Sequence, residues 1–172
     1  MKFFILLSIS LLASCAMFKS KNSKYQVSGK IEIHKPYCGG AKPTPEIAKG
    51  EFEPYANATF YVKTQMNNDK KLETVLKFKT DSKGNYKFKI KKGTYVVVHE
   101  DKMLSFEQYK EKYSKPVDQL LEYVGDKEAK EHYERLDFSI DVQGKKEFSY
   151  TYQTKCFCGM NPLMKYIGPK PM

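Results

Sequence analysis

The chain has 172 residues, 41% hydrophobic and 29% charged, and carries a formal charge of +10 at pH 7. That length suits one domain with a core of its own. Almost all of the positive charge is lysine and Arg135 is the only arginine, which argues against a nucleic-acid partner, because bidentate reading of phosphate and guanine favours arginine.

The N-terminus reads as a targeting segment. Lys2 precedes an apolar run at residues 3–12, broken only by Ser8 and Ser10, and Leu12-Ala13-Ser14-Cys15 closes it. The run is too short for a permanent membrane span and has the layout of a secretory signal. Small residues followed by cysteine resemble the lipobox of bacterial lipoproteins. The resemblance implies that residues 1–14 are removed, that Cys15 becomes the first mature residue, and that its sulfur and amine carry acyl chains, palmitate among them. It also implies a cell-envelope protein, at the outer membrane or the periplasmic face, with lipid as its membrane partner. Residues 15–24 then form a lipidated, polar tether whose Lys19, Lys21 and Lys24 can lie on anionic headgroups.

Residues 25–34 alternate, with Val27, Ile31 and Ile33 on one face, and predict a first strand. Residues 35–56, rich in proline and glycine, predict a long loop. Strands are expected at 57–66, 72–80, 85–91 and 94–99, separated by turns at 67–69, 81–84 and 92–93. The 85–91 segment is the clearest, with Tyr86, Phe88 and Ile90 alternating with Lys87, Lys89 and Lys91.

The period then changes. Ser105 stands three residues before Gln108, a capping box that predicts a helix at 105–113. Val117, Leu120, Leu121 and Val124 share a helical face and predict a second helix at 116–124. A third is expected at 126–135. Strands resume at 136–142 and 147–154, and the sequence beyond is irregular. The sum is an all-β, seven-stranded antiparallel sandwich at residues 25–158, with a short helical insertion at about 105–136 (100–135 at its widest) and an irregular tail at 159–172.

Residues 80–98, TDSKGNYKFKIKKGTYVVV, resemble the carboxypeptidase-regulatory-like and transthyretin-like (prealbumin-like) β-sandwich domains. Those carry T-D-x-x-G followed by an alternating strand and Gly-x-Tyr before an apolar one. Residues 27–31 and 54–62 are similar to the family's first two strands. The resemblance implies a non-enzymatic binding or interaction module with a protein or glycan ligand, since a shared fold carries no activity with it. It further implies that the first and last strands run side by side and parallel, so that His34 and Cys38 meet Cys156 and Cys158 at one end.

With Cys15 lipidated, Cys38, Cys156 and Cys158 remain, an odd number of thiols outside the cytoplasm. Cys156 and Cys158 are too close to pair with each other. Three readings stay open: a disulfide from Cys38 to Cys156 or to Cys158; a zinc or copper(I) site with His34, Cys38, Cys156 and Cys158 as ligands; and free or intermolecular thiols. Gly39 and Gly159, each directly after a cysteine, could bring an N–H towards a thiolate. No catalytic residues are assigned. His99-Glu100-Asp101 reads as a polar strand end, and His132, between Glu131 and Glu134, reads as a solvated helix surface without the H-x3-H spacing of a metal pair. Asn57-Ala58-Thr59 matches a glycosylation pattern that a bacterial lipoprotein would rarely use.

Overall fold

Alternation of apolar and polar residues sends one strand face into a core and leaves the other in water, and both sheets of this protein are built on that rule. The computed structural model describes residues 23–64 and 73–169. The leader at 1–14, Cys15, most of the tether at 15–24, the turn at 67–69 and the last three residues lie outside the described residues.

In chain order the strands are β1 (Lys24–Lys35), β2 (Glu51–Pro54), β3 (Thr59–Lys63), β4 (Thr74–Lys79), β5 (Asn85–Lys91), β6 (Gly93–His99), β7 (Leu121–Tyr123), β8 (Phe138–Val142), β9 (Lys146–Glu147), β10 (Tyr150–Gln153) and β11 (Met164–Tyr166). The helices are α1 (Pro45–Ala48), α2 (Phe106–Tyr113) and α3 (Asp126–Glu134), with a 3-10 turn at Glu100–Met103.

Strand β1 is the spine of one sheet. Along one edge it pairs antiparallel with β5 through its first half and with β2 through its second. Along the other edge it runs parallel to β9 and β10, with Ile31 opposite Tyr150 and His34 opposite Gln153. The second sheet is antiparallel in the order β4-β3-β6-β8. Val27, Ile31, Phe60, Val62, Tyr86 and Ile140 belong to the core cluster between the two sheets.

The T-D-x-x-G segment has a local physical cause. The buried Thr80 hydroxyl donates to the Tyr55 carbonyl at 2.6 Å and accepts from the Ala58 amide at 3.0 Å, stitching residues 55–58 to the end of β4. The Asp81 carboxylate accepts from the amides of Lys83 and Asn85, both at 2.8 Å, which shapes the turn into β5. Gly84 completes that turn at φ +78°, and a Cβ there would meet the Ile31 carbonyl oxygen at 2.5 Å.

The β-sandwich stands, with four corrections. The described residues hold eleven strands rather than seven. The loop expected at 35–56 contains α1 and β2, because the second half of β1 leaves an edge that the chain returns to cover. The helix expected at 116–124 is absent. The Asp118 side chain accepts from the Leu120 amide at 2.8 Å in a turn, and β7 follows, antiparallel to β11. Val117 is 92% exposed and Leu120 42% exposed, whereas Leu121 is buried and Val124 packs on the second cluster, so the four do not share one buried face. The tail expected to be irregular supplies β11, and its Leu163 and Met164 are fully buried. Leu163 packs with Tyr109, Ala129 and Tyr133 in a second cluster that joins α2, α3 and the tail. The capping box stands: Ser105 and Gln108 satisfy each other's amides at 3.1 and 3.0 Å.

Candidate functional site

The parallel register of β1 and β10 decides the cysteines. His34 lies opposite Gln153, and Cys38 and Cys156 follow a few residues past that pair, on strands that leave the sheet in the same direction. The two form a disulfide with a Cα–Cα distance of 5.5 Å, joining segments 118 residues apart. Cys158 is reduced and buried, and it packs with Leu121 and Met164 rather than facing the other sulfurs.

The zinc or copper site therefore does not assemble. Two of its sulfurs are bonded to each other and have no thiolate to give, while the third points into an apolar cluster. The His34 ring lies between the Gln153 side chain (Nδ1 to Oε1, 2.5 Å) and the Lys49 carbonyl (Nε2 to O, 2.7 Å) and stacks on Phe52, so both ring nitrogens are engaged. Among the described residues no group of three or more His, Cys, Asp or Glu is placed to hold a metal.

A concavity lies elsewhere, where the end of the sandwich meets α2, α3 and the tail. It encloses about 860 Å³. Tyr55, His99, Asp137 and Tyr152 line it from the sandwich side, Tyr109, Tyr113 and His132 from the helices, and Met160 to Pro162 from the tail.

Two hydrogen-bonded networks organise it. In the first, Tyr55 Oη is 3.0 Å from His99 Nε2, and His99 Nδ1 is 3.4 Å from Asp101 Oδ2. Burial, then the carboxylates of Asp101, Asp137 and Glu100, push the Tyr55 hydroxyl well above its usual value. It therefore keeps its proton. The His99 ring bridges Tyr55 and Asp101, whose backbone amide donates to Nδ1 at 3.3 Å. Burial alone would raise the Asp101 carboxyl, but hydrogen bonds from His99, Lys112 and Tyr113 outweigh it and hold the group well below the usual carboxylate range. Asp137 closes the network, accepting from the His99 amide at 2.6 Å and from Lys102 Nζ at 2.9 Å. Lys102 and Asp137 are a buried ion pair, their side chains 4% and 7% exposed.

In the second network Tyr109 Oη is 2.8 Å from His132 Nδ1. Burial, then the positive charges of Lys102, Arg135 and Lys155, push the His132 pKa down to about 3. Burial, then Asp137 and Asp101, raise that of Tyr109. Tyr109 therefore donates to a neutral imidazole whose proton sits on Nε2. This corrects the reading of His132 as solvated helix surface.

Tyr152 Oη is buried without a hydrogen bond of normal geometry among the described residues, and it interacts with the Asp137 carboxylate. Its ring meets Tyr55 edge-on at 5.2 Å, and burial, then nearby Asp137, holds its pKa far above the usual value. The sequence flagged His99, Asp101 and His132 singly. It gave no signal that Tyr55, Tyr109, Asp137 and Tyr152 converge on them, because the four come from four separate segments.

No protein-family model matches the sequence, and no curated protein matches it. Among solved structures, the TIE protein of Bacillus anthracis is 20% identical, with a TM-score of 0.32, over 74% of this chain and 17% of that one. A candidate carbohydrate-binding protein from Pseudomonas aeruginosa is 10% identical, with a TM-score of 0.35, over 78% of this chain and 91% of that one. GBS52, a minor pilin of Streptococcus agalactiae, is 12% identical, with a TM-score of 0.33, over 76% of this chain and 44% of that one. This chain thus spans less than a fifth of the first structure and less than half of the third. Likeness this loose identifies neither family nor ligand.

Proposed function

We propose that this chain is a non-enzymatic binding module of the bacterial cell envelope, anchored through acylated Cys15, whose tyrosine-lined cavity seats an uncharged polyhydroxylated ligand such as a sugar unit of a glycan. The buried hydroxyl of Tyr152, without a hydrogen bond of normal geometry among the described residues, carries this reading. A buried hydroxyl without a partner costs about 1–3 kcal/mol, and a ligand hydroxyl in the cavity would relieve that cost. Between charged lining residues such as Asp101, Lys102, Glu131 and Arg135, the cavity offers the tyrosine and His132 side chains, whose rings can pack against the C–H faces of a sugar. The raised pKa of Tyr55 supports binding over nucleophilic chemistry, since a tyrosinate nucleophile would need the opposite shift. No observation favours a metal-handling role.

Two measurements test this. Saturation-transfer NMR against a panel of monosaccharides and envelope oligosaccharides should find a binder whose affinity falls about three- to tenfold in Tyr152→Phe. A panel with no binder, or a binder indifferent to Tyr152→Phe, rejects the cavity as the seat. Palmitate labelling in the native host should disappear in Cys15→Ala; persistent labelling rejects the anchor.

A further inference from the structure

The outer face of the β1–β5 pair is a basic surface. Val27 and Ile31 on β1, and Tyr86 and Ile90 on β5, point into the core. Their neighbours therefore point out. The antiparallel register sets Lys24 opposite Lys91, Gln26 opposite Lys89 and Ser28 opposite Lys87. The four lysines are exposed. Between residues 83 and 92 the sequence holds five lysines and no acidic residue. The acids closest in register are Glu147, opposite Ser28, and Glu32, which is paired with Lys30 at 2.6 Å. They lie towards the Ser28–Lys30 end of the face.

We propose that this sheet face rests on a membrane surface of anionic phospholipid. The positive charges of the face are all ammonium groups on flexible stems, which suit a laterally mobile array of phosphodiesters; arginine forks would suit a fixed anion. Lys24 opens β1, so the face continues directly from the chain segment that carries Lys19 and Lys21. Clustered lysines near an anionic leaflet each add to binding, and the attraction is confined to about a Debye length. The proposal goes beyond the cavity reading and does not depend on it, because the cavity is lined by none of these four lysines.

Lysine acetylation footprinting of the full chain tests it. The protein is bound to vesicles of phosphatidylcholine alone and to vesicles of phosphatidylcholine with roughly one-third phosphatidylglycerol. Any insertion of the N-terminus occurs on both. Lys87, Lys89 and Lys91 should be protected only on the anionic vesicles, and the protection should vanish at about 0.5 M salt. Lys115, Lys130 and Lys165, on other faces, should label equally on both. The triple variant K87Q/K89Q/K91Q should lose about a hundredfold of the phosphatidylglycerol-dependent affinity, while K115Q/K130Q/K165Q should lose little. Equal labelling of Lys87, Lys89 and Lys91 on both vesicles overturns the proposal. So does anionic binding that survives the first triple variant, or protection by soluble polyphosphate with none by vesicles.

Discussion

Replacing Tyr152 with phenylalanine should make this protein more stable. The substitution removes one oxygen and keeps the ring, so the edge-on contacts with Tyr55 at 5.2 Å and Tyr150 at 5.0 Å remain. Tyr152 lines the cavity of about 860 Å³, but its oxygen is sealed from solvent, so the void left is the size of that one oxygen. What changes is the desolvation of a hydroxyl that has no hydrogen bond of normal geometry among the described residues. Relief of that cost is worth about 1–3 kcal/mol, or a rise in Tm of about 3–10 °C for a chain of this size. Urea unfolding followed by circular dichroism at pH 7 measures it, with an unchanged m-value confirming that the denatured state is not the source. Asp137 is near enough to raise the Tyr152 pKa. If the variant is destabilised by 1 kcal/mol or more, the hydroxyl does have a partner, Asp137 or a held water, and the reasoning from an unsatisfied group fails. The same variant should bind the cavity's ligand more weakly, so stability and affinity should move in opposite directions.

Removing the disulfide with C38S/C156S frees a loop of 118 residues in the unfolded chain. It should cost about 4–5 kcal/mol, or about 10–20 °C in Tm, and the reduced wild type should melt with the variant. Native thiol titration should find Cys158 slow to react and denaturant should release it. Lys102→Met leaves the buried Asp137 carboxylate without its cation and should cost about 3–5 kcal/mol in urea unfolding, more than any exposed lysine substitution. Between pH 6.5 and 3 the unfolded chain protonates His132 and the folded chain does not, so stability should fall as pH drops through that window. Asp101 acts lower: its folded pKa is depressed, so its contribution is present above about pH 4 and is lost below it. The slope between pH 6.5 and 4.5 should flatten in His132→Gln and be unaffected in Asp101→Asn.

The strands whose period was legible are those whose partners lie close in sequence or whose two faces differ sharply. Tyr86, Phe88 and Ile90 against Lys87, Lys89 and Lys91 placed β5 at its observed bounds, and Ser105 with Gln108 placed the start of α2. The segment at 116–124 misled because Val117, Leu120, Leu121 and Val124 satisfy a helical period by spacing alone. The strand that claims Leu121 comes from Met164–Tyr166, more than forty residues on. His132 misled for a related reason: its neighbours in sequence are charged, but its neighbours in space are Tyr109 and the positive groups that keep it neutral.

By itself, then, the sequence determined an all-β body, its lysine-faced strands, its capped helix and its cysteine inventory, since each depends on the side-chain period or composition of a short segment. Tertiary structure alone decided which sulfurs joined, that the tail was part of the fold, and that tyrosines and histidines from separate segments enclose a cavity with one unanswered hydroxyl. Those outcomes depend on strand register and on packing between distant segments, where pairing energies are summed over the whole domain and no local pattern records them.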